Sequence, residues 1–328
     1  MHPTLIGTET GIAGLESLTL PSYFTMVAIG FSAAVFLAWR WAGRVGVSRD
    51  SIVDLGLYMV ICGVIGARLL HVLSAGQLSN YVNWCVDPDA VVWHITELEC
   101  RSPGIEGVWD RVEHVCRPVD PGGRPAWERC TLWLQFWQGG LAFYGGVILA
   151  CLYAVYFIRR EKMPLGRVLD MGAWAIPLGL GWGRFGCFLN GCCYGGIVER
   201  EDGASPWWSV AFPRWSPAWL DQLGQELVTA GSTRSLHVHP TQLYESAAAF
   251  ALAAIAYIYL EPRKRWNGEV FLTTCALYAV ARFTIELFRS DPRGELLGLS
   301  TSQLIGIGLL AFVAIAWPRM KRASQARG

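Results

Sequence analysis

Seven mostly apolar stretches, each about 20 residues long, constrain the fold of this chain more than any other feature. They run over about 21–40, 52–74, 140–158, 166–190, 240–260, 268–288 and 299–317. A helix rises ~1.5 Å per residue, so each stretch matches the ~30 Å hydrocarbon core of a bilayer. Charged residues make up 16% of the 328 and hydrophobic residues 53%. Soluble chains carry about 25% charged residues, and disordered chains are more polar still. A net charge of +1 offers no basic surface to nucleic acid. The first stretch reads as a span and not a cleaved signal, because residues 1–39 contain no Lys or Arg. It begins after Pro21, a good helix-start residue. The expectation is an all-α integral membrane protein, a single membrane domain over residues 1–328 with seven transmembrane helices and two large periplasmic loops.

Orientation follows from charge. Arg40, Arg44 and Arg49 follow the first stretch; Arg159, Arg160, Lys162 and Arg167 the third; Arg263, Lys264 and Arg265 the fifth; Arg319, Lys321, Arg322 and Arg327 the seventh. All lie on one side, which the positive-inside rule makes cytoplasmic. The N-terminus is then periplasmic and the C-terminus cytoplasmic. Trp39, Trp41, Trp133, Trp137, Trp266 and Trp317 fall at span ends, as in an aromatic belt. The two large outer segments are an arm, 75–138, and a head, 196–238. The arm holds Cys85, Cys100, Cys116 and Cys130, which in an oxidising compartment suit two disulfides with three pairings open. Within the head, Ser216 to Val228 reads as a short amphipathic helix able to lie on the membrane surface.

Ionisable residues inside the stretches need an explanation. Each costs roughly 2.5–3.5 kcal/mol at mid-bilayer, so Arg68, Arg184 and Arg282 together cost about 8 kcal/mol if the costs add. Pairing with Glu286, Glu245 or Asp170 is the plain explanation, and a bound anion is the functional one. Arg suits phosphate because its planar fork donates two parallel hydrogen bonds and stays charged when buried. Arg282, Glu286 and Arg289 are spaced i, i+4, i+7 and share a helix face; for Arg289, near the outer end, snorkelling is enough. Arg68 ends Gly-Val-Ile-Gly-Ala-Arg, a small-residue face suited to close packing.

Glycine occupies six of the 17 positions from Gly179 to Gly195, each costing about 1 kcal/mol in a plain helix. Gly179, Gly183 and Gly186 suit close helix contact, while Gly191 and Gly195 predict a break in the helix. Irregular backbone at membrane depth is tolerated only inside protein or beside a cavity, so a polar cavity beside Arg184 is expected. A second glycine cluster, 138–146, contains Tyr144, which also suits an interfacial belt. His239 enters the fifth stretch ahead of Pro240, suited to a head-group contact or to a cap.

At these motifs the chain resembles the prolipoprotein diacylglyceryl transferase family of bacterial membranes. The likeness is carried by Tyr23 to Phe31, Gly-Ala-Arg68, Phe-Tyr144-Gly-Gly and Asp170. It continues through Gly183-Arg184-Phe-Gly, Phe188-Leu-Asn190-Gly, His239-Pro-Thr-Gln-Leu-Tyr-Glu245, Tyr278 to Arg289 and Leu299-Ser-Thr-Ser-Gln303. The resemblance implies a bacterial inner-membrane enzyme of lipoprotein biosynthesis. It would move the diacylglyceryl group of phosphatidylglycerol to the lipobox Cys thiol of a preprolipoprotein, leaving a thioether and glycerol 1-phosphate. It implies no metal and no organic cofactor; the partners are phosphatidylglycerol, lipobox signal peptides and membrane lipids. Arg184 and Arg282 would stabilise the leaving phosphate. Tyr144 would orient or activate the thiol, although a phenol with a pKa of about 10 is a poor base. Tyr23, Arg68, Asn190, His239, Glu245, Tyr278 and Glu286 would bind substrate, Glu286 by holding Arg282.

The chain departs from the family pattern at Cys187, where Asn is expected, and at Cys192, where Glu is expected; Cys193 adds a third thiol. The arm is also long for the family. These thiols support a rival reading, a membrane redox or metal-handling protein, and leave open a related lipid transferase with another acceptor. A passive lipid-binding scaffold is a weaker rival. Cys62, Cys151 and Cys275 sit inside stretches and read as packing residues.

Overall fold

The structure, a computed structural model, describes residues 4–8, 18–74, 77–95, 97–100, 107–119, 129–135, 141–198, 205–289, 295–296 and 298–325. The chain forms two compact bodies, one of residues 1–52 with 163–328 and one of residues 53–162. The long helices are α1 (Ser22–Val45), α2 (Arg49–Leu73), α4 (Phe143–Arg160), α5 (Leu165–Asn190), α7 (Thr241–Ala254), α8 (Glu269–Glu286) and α9 (Thr301–Gln325). Two shorter helices are α3 (Gln77–Val86) and α6 (Pro217–Gly224).

Among the described residues five helical runs are long and apolar enough to cross a membrane: α1, α2, α4, α9 and the run Thr241–Arg263 that begins with α7. Between Ala254 and Glu261 that run passes through a π-helical stretch, Ile255–Leu260. Helices α5 and α8 are also long, 26 and 18 residues. Glycines and Arg184 dilute the hydropathy of α5, and Arg282 with glutamates at both ends dilutes that of α8. The residues that lower their hydropathy are thus the ones the resemblance marks.

In the first body α1 packs on α5, α5 on α7, and α8 on α5, α7 and α9. Helices meet in lipid through close van der Waals contact, which small residues permit. The buried face of α1 is Ser22, Gly30, Ala38, Ala42 and Val45. A Cβ on Gly30 would lie 2.6 Å from the Cβ of Trp182 on α5, so the crossing requires glycine there. Both helices end in a left-handed glycine, Gly46 (φ 74°) and Gly191 (φ 77°), whose N–H groups close the last turn. Asp170, fully buried in α5, accepts from Lys264 Nζ at 3.1 Å and from the N–H groups of Gly268 and Phe271 at 2.8 and 3.1 Å. It therefore caps the N-terminus of α8, where the helix dipole favours a carboxylate. Asp170 is thus committed to Lys264 and α8.

The head of this body is a small core of Tyr194, Phe212, Ala218 and Val238. Helix α6 is shorter than the sequence suggests and is capped by the Ser216 hydroxyl, which accepts from the Trp219 N–H at 3.2 Å. Trp219 is fully buried, and its Nε1 donates to the Ser232 carbonyl at 3.1 Å. The largest apolar side chain of α6 therefore faces protein. Two hairpins complete the body: β1 (Thr4–Thr8) pairs with β2 (Leu18–Pro21), and β5 (Glu295–Leu296) with β6 (Leu299–Ser300), both antiparallel.

In the second body α2 and α4 approach closely. The Ala142 N–H donates to the Ala67 carbonyl at 2.9 Å, and a Cβ on Gly66 would lie 2.6 Å from Leu149 Cβ. The Gly-Ala-Arg motif thus forms a small-residue contact. Beyond the helices lie α3 and the hairpin of Gly107–Asp110 (β3) with Val115–Pro118 (β4). Cys85 is bonded to Cys130 and Cys100 to Cys116. Arg117 ties the hairpin together through Asp110 at 3.2 Å and Glu113 at 2.5 Å. Part of the glycine cluster before Tyr144, residues 138–140, and Trp137 lie outside the described residues.

Candidate active site

The first body brings three arginines and two glutamates into one buried cluster. Arg184 stands near the end of α5, Glu245 in the second turn of α7, and Arg282 and Glu286 one turn apart near the end of α8. Arg289 follows three residues beyond α8. Glu245 is 1% exposed, yet its carboxylate faces all three guanidiniums: Arg184 Nε at 3.1 Å, Arg282 Nε at 3.8 Å and Arg289 Nη1 at 3.9 Å. Glu286 receives Arg282 Nη1 at 2.6 Å and Arg289 Nε at 3.9 Å. The start of α9 and the strand before it complete the set. Ser300 Oγ donates to Glu286 Oε1 at 2.7 Å, and Arg282 Nη2 donates to Ser302 Oγ at 2.8 Å.

Among the described residues the cluster sets three guanidiniums against two carboxylates. Buried ions are tolerated when paired and hydrogen-bonded, and are costly otherwise. Both Glu245 oxygens are buried and accept no aligned hydrogen bond among the described residues. The arrangement has the composition of an anion site: forked donors converging from several elements.

Of the residues expected from sequence, Arg184, Arg282, Glu245 and Glu286 come together here. Tyr278, one turn before Arg282 on α8, lies in electrostatic range of Arg184. Tyr23, in the first turn of α1 and 37% exposed, is an electrostatic neighbour of Arg184 and of Cys187, Cys192 and Cys193. Asn190, the exposed last residue of α5, is an electrostatic neighbour of Cys192. His239 stacks on Trp208 at 4.9 Å, packs against Phe288 at 5.3 Å and places Nδ1 3.3 Å from the Tyr244 hydroxyl. Burial there pushes its pKa below the ordinary imidazole value.

Two expected residues belong to the second body. Arg68 is 8% exposed and donates Nε to the Trp133 carbonyl at 2.8 Å and Nη2 to the Leu132 carbonyl at 2.7 Å, over the ring of Tyr81. Tyr144 stands in the first turn of α4, 48% exposed, with its ring edge-to-face against Phe143.

Sequence reasoning missed the weight of Arg289. Its side chain is 3% exposed, and Arg289 bridges in backbone register with Gly195, so it does not snorkel. The signal for it in the sequence is its place on the Arg282–Glu286 face. Ser300 and Ser302 lie in a recognised motif that assigns them no role.

Beside the cluster the end of α5 gathers the sulfur atoms of Cys187, Cys192 and Cys193 within 4.8 Å of one another. The first turn of α7 holds this loop. Thr241 Oγ1 donates to the Cys193 carbonyl at 2.9 Å and Gln242 Nε2 to the Cys192 carbonyl at 2.7 Å.

The chain is 26% identical over 293 residues to the phosphatidylglycerol–prolipoprotein diacylglyceryl transferase of Clostridium tetani, covering 89% of this chain and 90% of that one. It is 28% identical over 276 residues to the protein of the same name from Geobacter sulfurreducens, covering 84% and 79%. Over 316 residues it is 28% identical to the one from Mycobacterium leprae, covering 93% and 79%. The sequence model of the prolipoprotein diacylglyceryl transferase family matches residues 11–98 and 124–318, most of the chain, and this membrane protein therefore belongs to that family.

Proposed function

We propose that the protein transfers the diacylglyceryl group of phosphatidylglycerol to the lipobox cysteine thiol of a preprolipoprotein, releasing glycerol 1-phosphate. The observation that carries the reading is the buried cluster of Arg184, Arg282 and Arg289 around Glu245 and Glu286. A phosphodiester bears one negative charge, which converging guanidinium forks bind. When sulfur attacks the glycerol carbon, the C–O bond to phosphate breaks and its electron pair stays on the phosphate, which gains a second charge. Guanidiniums already in place stabilise that developing charge without reorganisation. Glu245 and Glu286 hold the arginines in position.

In this reading Tyr23, Asn190 and Tyr278 line the head-group site, His239 orders the entry to α7, and Tyr144 orients the acceptor thiol. Arg68 supports the arm through the Leu132 and Trp133 carbonyls. We place α1, α2, α4, α5, α7, α8 and α9 across the bacterial inner membrane as seven spans of one membrane domain. The arm, 75–138, and the head, 196–238, are then periplasmic, with the N-terminus outside and the C-terminus inside. The basic ends of α1, α4 and α9 and the Arg263–Arg265 segment support this orientation.

The test is incubation of the purified protein with phosphatidylglycerol vesicles and a lipobox peptide, read by mass spectrometry. A mass gain of one diacylglyceryl group on the peptide cysteine is expected, and none on the Cys→Ser peptide. No lipid-sized gain, or a gain at a different nucleophile, overturns the assignment.

A further inference from the structure

We propose that Cys187, Cys192 and Cys193 bind one Zn2+ ion whose fourth coordination position takes the acceptor thiol as a thiolate. The metal site stands on its own geometry; the role of its open position rests on the transferase reading. Three sulfurs lie within 4.8 Å of one another at the end of α5. Zinc–sulfur bonds of about 2.3 Å place tetrahedral ligands about 3.8 Å apart, so closure on an ion needs shifts of about 1 Å or less. A set of soft thiols without His or carboxylate selects a thiophilic ion such as zinc.

The backbone is built to present these ligands. Gly191 at φ 77° ends the helix and turns the chain back. Cys193 adopts φ 62°, a left-handed conformation that costs a side-chain-bearing residue about 1–3 kcal/mol and persists where the surroundings enforce it. Thr241 and Gln242 enforce it through the carbonyls of Cys193 and Cys192. Cys187 is buried, while Cys192 and Cys193 are half-buried and accessible to an incoming ion.

Three protein ligands and one open position is the arrangement of catalytic zinc. A thiol that coordinates zinc is deprotonated outright, whereas a free thiol is only about 3% thiolate at pH 7. The acceptor thiol displaces a zinc-bound water, loses its proton to solvent and binds as thiolate. A sulfur lone pair then forms the C–S bond as the glycerol C–O bond breaks. The electron pair of that bond leaves on the phosphate beside the arginines, and the neutral thioether releases the metal. No oxidant or reductant is required.

The experiment uses the full chain in detergent, loaded with Zn2+, or with Co2+ as a spectroscopic probe. One metal per chain is expected after dialysis, with affinity falling about tenfold or more in each of Cys187→Ser, Cys192→Ser and Cys193→Ser. Cys151→Ser and Cys275→Ser are expected to leave metal content unchanged. The Co2+ spectrum is expected to shift on adding a lipobox peptide and not its Cys→Ser form, and chelation to slow transfer about tenfold, reversed by Zn2+. Absence of stoichiometric metal, or a mass two hydrogens light marking a disulfide among the three thiols, overturns the site. Metal retained with a Co2+ spectrum indifferent to the peptide thiol, or transfer unaffected by chelation, overturns the role of the open position and leaves the transferase reading intact. Metal bound with peptide entering but no lipid transferred overturns the transferase reading and spares the metal site.

Discussion

Arg184 Nε lies 3.1 Å from Glu245 Oε1, and the same carboxylate faces Arg282 at 3.8 Å and Arg289 at 3.9 Å. One glutamate on α7 is thus the shared counterion of three arginines reaching it from α5, from α8 and from the turn after α8. Replacing it with a neutral isostere removes one negative charge from among three arginines. Removing one partner of a buried pair costs about 3–5 kcal/mol. Glu245→Gln is therefore expected to lower the thermal midpoint in detergent and abolish transfer, with Glu245→Asp milder on both counts. Wild-type stability in Glu245→Gln would remove Glu245 from the centre of the site.

Arg289 is expected to matter as much as Arg184 and Arg282. Arg289→Ala leaves the Arg184–Glu245 and Arg282–Glu286 pairs in place, so the protein should still insert and fold, but the cluster loses one forked donor. The turnover number should fall about 10²–10³-fold, the range for loss of one donor to a developing anion. Arg289→Lys should recover only part of it, because an ammonium keeps the charge and loses the fork. Full activity in Arg289→Ala would show that two guanidiniums suffice.

Arg289 marks how far the sequence can be read. Seven apolar stretches are legible in the sequence, of which five become helical runs long and apolar enough to cross a membrane among the described residues, and the cost of burying Arg184, Arg282 and Glu286 in apolar stretches singles them out from the sequence alone. The small-residue faces at Gly30 and Gly66 are visible as composition and become helix crossings in the fold. Arg289 follows the end of α8, where side chains ordinarily reach solvent. It is buried because its backbone bridges to Gly195, about ninety residues earlier, and a long-range bridge leaves no local periodicity. Asp170 reads as a possible arginine partner for a similar reason, since nothing near it announces that it caps a helix beginning at Glu269. The convergence of Cys187 with Cys192 and Cys193 depends on two left-handed residues, of which glycine is suggestive and cysteine is not.

Arg68 separates a supporting role from a substrate-binding one. Its guanidinium is engaged by the carbonyls of Leu132 and Trp133. Hydrogen bonds from a charged group contribute roughly 1.5–3 kcal/mol, so Arg68→Ala should loosen the segment that leads to the Cys85–Cys130 disulfide. Limited proteolysis should cut faster near residues 129–135, while KM for phosphatidylglycerol stays near wild type. A selective rise in that KM with unchanged proteolysis would reassign Arg68 to the head group.

His239 gives the head a pH dependence whose sign is fixed by burial. Its ring is packed against Trp208 and Phe288, with the Tyr244 hydroxyl at Nδ1, and burial holds its pKa below the ordinary 6.5. The unfolded chain therefore takes up a proton near pH 6.5 while the folded head resists it. The stabilisation is fully present above that value and is lost as pH falls through the folded pKa. The His239 backbone pairs with Gly195 and Gly196, its N–H donating to the Gly196 carbonyl and its carbonyl accepting from the Gly195 N–H, both at 2.9 Å. Protonation should consequently open the strand contacts that lead into Cys193 and Arg289. Hydrogen exchange, corrected for intrinsic rates, should speed up in segments 194–198 and 237–239 between about pH 7 and about pH 5, while α1 and α9 hold steady. His239→Gln should remove the pH dependence whatever its effect on baseline stability; if the acceleration persists in that variant, a different group controls the opening.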